Sequence, residues 1–190
     1  MNTLKNNSLK VLLGLLLAVI LLPSCSNAQD KAENTQQIKA PQLDLQTAVM
    51  TNNLEVVKQH IAAGSDINVK EPFSGSTPLI TAITFDKKDI AQELLDAGAD
   101  LKIANNDGTT PLHAAAFFGR VELVELLLEA SADKTLKNNY GFTPRETVMG
   151  SFAEVKPIYE MMQQQLGPMG LQLDMEQLEK TRPVIAMMLQ

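Results

Sequence analysis

The chain has 190 residues, enough for one domain with tails, and its 45% hydrophobic fraction is ample for a packed core. Trp is absent and aromatics make up only 4%, which suits a helical stack filled by Leu, Ala, Ile and Val. The formal charge is −6, or about −8 without the leading segment that carries Lys5 and Lys10, so no basic patch invites nucleic acid.

Residues 1–24 read as an export signal peptide. Lys5 and Lys10 supply its positive start, and Val11 to Leu22 is an apolar run of twelve that ends at Pro23, too short to span a bilayer. Two cleavage sites compete. Leu22-Pro23-Ser24-Cys25 resembles a bacterial lipobox, in which Cys25 is acylated and becomes the mature N-terminus. Ser26-Asn27-Ala28 also suits ordinary signal peptidase, cutting before Gln29. The first reading predicts a lipoprotein anchored in a membrane and facing the periplasm, the second a soluble periplasmic or secreted protein. Cys25 is the only cysteine, so beyond it no disulfide, Cys-metal site or thiol nucleophile is available. The polar stretch up to residue 40 buries too little apolar area to order itself and is expected to be a flexible tether, 25–40, with a reach of ~20 Å.

From residue 41 the chain is periodic. Helices are expected at Leu43 to Thr51 and Leu54 to Ala62, the latter carrying Leu54, Val57 and Ile61 at helical spacing and ending at Gly64. Thr77-Pro78, Thr110-Pro111 and Thr143-Pro144 then recur at a 33-residue period, each a good helix start because Thr caps and Pro at the first position forfeits no hydrogen bond. Glu93 to Asp100 lines up with Leu126 to Asp133, which sets Ser131 where Gly98 stands one repeat earlier. A period of 33 opening on Thr110-Pro111-Leu112-His113-Ala114-Ala115 resembles the ankyrin-repeat family. The resemblance implies an all-α solenoid of about four helix-turn-helix repeats with short hairpin loops over 41–166: 41–75, 76–108, 109–141 and a decaying 142–166. The second helix of the fourth repeat is expected near 153–165, where Pro157 is tolerable only in the first turn.

Residues 167–190 form a Met-rich tail: seven of the nine Met lie beyond residue 148. Asp174 suits the cap of a helix from Met175 to Lys180, and Thr181 that of a second segment near Pro183. The tail is expected to cap the open end of the stack; an adaptable partner surface and copper ligation by Met are the other readings.

Nothing in the chain resembles a nucleophile elbow, a P-loop, a metal-ligand cluster or paired catalytic carboxylates, so neither an enzyme nor a cofactor is predicted. In the family, the residue matching His113 is structural, bonding to the motif threonine hydroxyl and to loop backbone between repeats. His60 reads as a surface residue. The resemblance also implies a protein partner, held by hairpin tips and the exposed ends of first helices. Here those positions are Phe73, Ser74, Thr84, Phe85, Asn106, Asp107, Thr109, Phe117, Phe118, Asn139, Tyr140 and Phe142, and they include six of the eight aromatics. Aromatics among small polar residues are what a binding surface uses as anchors. The expected function is a non-enzymatic binding module of the bacterial cell envelope that holds a protein partner on a concave, aromatic-lined face. The alternatives are an accessory or metal-handling protein acting through the Met-rich tail, and a secreted effector directed at a host cell.

Overall fold

The computed structural model describes residues 39–190. The export segment, Cys25 and most of the tether lie outside the described residues.

The described residues form helices and no strands. In chain order the helices are α1 (Leu45–Met50), α2 (Leu54–Ala62), α3 (Pro78–Thr84), α4 (Lys88–Asp96), α5 (Pro111–Phe117) and α6 (Val121–Glu129). They continue with α7 (Glu146–Met149), α8 (Phe152–Leu166), a 3-10 turn at Gly167–Met169, and α9 (Met175–Met188). The local signals act as read. Thr77 and Thr110 cap α3 and α5, accepting hydrogen bonds from the Ile80 and His113 amides, with Pro78 and Pro111 at the first helical position. Asn53 caps α2 in the same way. Thr143 accepts from the Glu146 amide at 3.3 Å while the Glu146 carboxylate accepts from the Thr143 amide at 2.7 Å, and Pro144 next to Thr143 is buried.

The helices make two layers. Inner helices α1, α3, α5 and α7 stack in a row, and α2, α4 and α6 stack behind them. Small side chains set the inner spacing: Ala48, Ala82, Ala115 and Ala116 are each fully buried, so neighbouring backbones approach closely. Ile90, Leu94, Leu123 and Leu127 fill the interface between layers and are sealed from solvent. No repeat covers such a face alone, so the stack is stabilised by its neighbour interfaces. Outer helices are also bridged across solvent, Lys58 to Glu93 at 3.5 Å and Lys88 to Glu122, pairs that contribute little.

Turns between paired helices need left-handed backbone. Asn52, Asp86 and Gly119 provide it, with φ of 56°, 55° and 69°. Asn, Asp and Gly are the residues that tolerate this region. After the second helices, Gly64 and Gly98 are left-handed, and Ser131 follows them at φ 64°, as its alignment implies. Ser131→Gly is therefore expected to stabilise the fold by about 1 kcal/mol, raising Tm by roughly 2–4 °C in a thermal scan. An unchanged or lower Tm would show that the serine is not strained.

The fourth repeat departs from its predicted boundaries. α7 exits through Gly150 in extended conformation (φ −72°, ψ 168°), not through a left-handed turn. The chain then runs out into α8, and the helix that packs behind α7 and beside α6 is α9. Buried Thr181, Arg182 and Ile185 repeat the i, i+1, i+4 spacing of Ile90, Ala91, Leu94 and of Leu123, Val124, Leu127. The second helix of the last repeat is thus 175–188 rather than 153–165, and residues 150–174 are an insertion inside that repeat. α9 is one helix through Pro183, not two segments. Thr181 is not a cap; its hydroxyl bonds back to the Gln177 and Leu178 carbonyls. Asp174 is the cap, accepting from the Gln177 amide at 3.0 Å. Pro157 likewise sits beyond the first turn of α8 on an exposed side, where water can satisfy the carbonyl it leaves unpaired.

Candidate functional site

Three loops project from one edge of the stack, at 71–76, 105–109 and 138–142, and a single device folds each tip. Asn105 Oδ1 accepts from the Asp107 and Thr109 amides, both at 2.9 Å, and Asn138 Oδ1 accepts from those of Tyr140 and Phe142 at 3.1 and 3.0 Å. In the longer first tip Glu71 takes this place, accepting from the amides of Phe73, Ser74 and Ser76 and from the Ser74 hydroxyl. Burial raises the Glu71 pKa, but those hydrogen bonds outweigh it and hold the carboxyl below its ordinary value. Glu71 therefore stays ionised as the centre of its loop.

The tips are stitched to one another. The Asn106 amide donates to the Ser74 carbonyl at 2.8 Å and its side chain to the Phe73 carbonyl at 3.0 Å. One finger on, the Asn139 amide donates to Asp107 and its side chain to Asn106, both at 2.9 Å. Glycine is required where tips touch: a Cβ on Gly108 would sit 2.7 Å from the Asn139 amide nitrogen. This edge is consequently a fixed row of fingers. Along it Phe73 is 91% exposed, Tyr140 68% and Phe142 50%, with exposed Ser74, Asn106, Asp107 and Asn139 between them and half-buried Thr109 at the base.

His113 holds the last two fingers in place. It is 1% exposed; Nδ1 accepts from the Thr110 hydroxyl at 2.7 Å and Nε2–H donates to the Phe142 carbonyl at 2.9 Å. Burial lowers its pKa, and the bond to Phe142 pulls partly back. The neutral ring with its proton on Nε2 fits both contacts. His60, expected on the surface, is 6% exposed, with its ring nitrogens on the Ser65 hydroxyl and the Leu43 carbonyl. It fixes the start of α1 rather than facing solvent.

The remaining predicted anchors do not join this row. Phe118 is 6% exposed and belongs to the core, so it is not available as a surface anchor. Phe85 and Thr84 are half-buried at the far end of α3, where Thr84 bonds back to the Ile80 carbonyl. Phe117 meets Phe118 edge-on at 5.2 Å and is covered by Tyr159 of the insertion at 4.7 Å. Tyr159 is fully buried, stacks on Phe152, and donates its hydroxyl to the Phe117 carbonyl at 2.6 Å while accepting from Arg182 at 3.0 Å. Its burial pushes the phenol pKa up, with Arg182 pulling partly back, so the hydroxyl keeps its proton. The insertion thus occupies the end of α5 that the sequence suggested was open. Glu71, Tyr159 and Arg182 are the residues sequence reasoning missed; only the length of the first loop hinted at Glu71.

Of the tail methionines, Met149, Met161, Met169 and Met187 are about half exposed and spread over α7, α8, the 3-10 turn and α9. Among the described residues, no three His, Cys, Asp or Glu side chains converge as metal ligands, and no helix is long and apolar enough to cross a membrane.

Comparison with known proteins fits this architecture. The family model for ankyrin repeats, in three copies, matches residues 45–138. Protein phosphatase 1 regulatory subunit 27 of Mus musculus is 42% identical over 64 residues, 34% of this chain and 41% of that protein. Putative ankyrin repeat protein FPV219 of Fowlpox virus (strain NVSL) is 42% identical over 62 residues, 33% of this chain and 14% of that one. Among solved structures, the ankyrin repeat domain of Bcl-3, of the IkappaB protein family, shares 34% identity at a TM-score of 0.53, covering 54% of this chain and 45% of its own. The chain spans less than half the length of each relative.

Proposed function

From the premise that residues 45–138 are ankyrin repeats, which are protein–protein interaction modules, we propose that this protein works by non-enzymatic capture of a protein partner on its row of finger tips. The observation that carries this reading is the exposure of Phe73, Tyr140 and Phe142 on loops already fixed by their own hydrogen bonds. Rigid aromatic anchors lose little entropy on binding, and soluble surfaces rarely expose such a group without a use for it. Phe85 and Phe117 contribute from the helix ends only where their edges reach solvent. The name of the mouse relative, a regulatory subunit, supports a role exercised through binding.

The partner itself is to be found by crosslinking and mass spectrometry. Phe73→Ala and Tyr140→Ala are then each expected to weaken its capture about thirtyfold, since truncating an anchor typically costs ~2 kcal/mol or more, while thermal unfolding stays within about 0.5 kcal/mol of wild type. Full-strength capture by both variants would move the recognition surface elsewhere.

We place the module in a bacterial cell envelope on the strength of Lys5, Lys10, the Val11 to Leu22 run and the Leu22-Pro23-Ser24-Cys25 box. The protein is expected to fractionate with membranes and Cys25→Ser to release it. A mature N-terminus at Gln29 in mass spectrometry would make it a soluble export product instead.

A further inference from the structure

The end of the stack carries a cleft of about 350 Å³ between α7, the start of α8 and α9. Its lining combines apolar Val148, Phe152, Pro183 and Ala186 with the cationic side chains of Arg145 and Arg182. We propose that this cleft is a binding site for a monocarboxylate carried on a short aliphatic body, distinct from the finger tips.

Arg182 is the first argument. It is 2% exposed and occupies an outer-helix core position that Ala91 and Val124 fill in earlier repeats, so packing does not call for a charge there. Its guanidinium donates to neutral acceptors, the Tyr159 hydroxyl at 3.0 Å and the Gly150 carbonyl at 3.2 Å. Arg145 beside it donates to the Ala186 carbonyl at 3.1 Å and the Met149 sulfur at 3.0 Å. Among the described residues, no carboxylate lies within 4.0 Å of either guanidinium. A buried cation without a counterion is costly, and a carboxylate is the group whose two oxygens match the fork of guanidinium N–H donors.

The rest of the lining narrows the ligand. The apolar wall suits a short hydrocarbon chain, and the volume is at the small end for ligand sites. Glu179, exposed at the rim, contributes a negative charge that disfavours di- and trianions such as phosphate. In a chain of net charge −6, the cleft gathers two arginines that lack a carboxylate partner against one acidic side chain, Glu179.

The test is an NMR titration of the full chain, at constant ionic strength, with sodium hexanoate, 1-hexanol and inorganic phosphate. Hexanoate is expected to bind saturably and to shift the Arg145 and Arg182 side-chain signals and the Ala186 amide. Hexanol and phosphate are expected to bind at least tenfold more weakly. Arg145→Gln, at a half-buried position, should weaken hexanoate at least tenfold; it also gives up the bond to the Ala186 carbonyl, so a small drop in Tm is expected while the amide spectrum away from the cleft stays that of wild type. A second arm compares acetyl-Ala-Leu with its amide: tighter binding of the free-acid dipeptide than of hexanoate identifies a polypeptide C-terminus as the source, and the reverse order a small acid. Equal binding of hexanol and hexanoate, wild-type affinity in Arg145→Gln, or shifts confined to other surfaces would overturn the proposal.

Discussion

Replacing Tyr159 by alanine is expected to lower the unfolding free energy by about 3–5 kcal/mol, the usual loss for a fully buried aromatic. The ring fills the space between Phe117 and Phe152, at 4.7 and 6.0 Å from their centroids. Its hydroxyl also joins two repeats, accepting from Arg182 in the fourth and donating to the Phe117 carbonyl in the third. Tyr159→Phe separates the two contributions. It keeps the ring and leaves Arg182 and the Phe117 carbonyl each short of a partner, so about 1–3 kcal/mol should go. Urea unfolding of both variants checks this. An unfolding free energy for Tyr159→Ala within about 1 kcal/mol of wild type would mean that α8 is held by other contacts.

His113→Ala is expected to cost about 2–3 kcal/mol, because it strands the Thr110 hydroxyl and the Phe142 carbonyl and leaves a cavity in a site 1% exposed. The loss should depend on pH. Burial holds the folded imidazole below its ordinary pKa, so between the unfolded value near ~6.5 and that lower folded value the unfolded chain binds more protons. The contribution is fully present above about pH 6.5 and declines as pH falls toward the folded value. Protonating Nδ1 would also set its N–H against the Thr110 amide, 3.4 Å away. The gap in stability between wild type and His113→Ala should therefore narrow from about pH 7.5 to about pH 5.5. A constant gap would mean that the ring accommodates its proton in place.

Much of this was legible in the residues. Thr77-Pro78 and Thr110-Pro111 announce helices because capping is local chemistry, and the 33-residue spacing carries the stack with them. The left-handed backbone at Ser131 followed from its alignment with Gly98. The finger aromatics stood out because nothing hydrophobic within their own loops could cover them. The last repeat was illegible for an equally physical reason. α9 uses Thr181 and Arg182 where earlier outer helices use Ile90 and Ala91 or Leu123 and Val124, so its buried stripe does not read as apolar. Phe117 reads as open in the sequence because the ring that covers it, Tyr159, lies outside its repeat, and Phe118 because its place in the core is set by tertiary packing.

The split fourth repeat also bears on the order in which the protein takes shape during synthesis. In the earlier units an inner helix leaves the ribosome only three residues ahead of its outer partner, as with α5 and α6 around Phe118, Gly119 and Arg120. For α7 the wait is the whole of residues 150–174. By chain statistics, closing the longer loop costs about 2 kcal/mol more than closing the shorter ones. The nascent chain therefore passes through a stage in which three repeats stand finished and the outer face of α6 lies open. During that interval the side of α6 that α9 contacts in the finished fold is where a chaperone would bind or a neighbouring chain would stick, until α9 arrives to cover it.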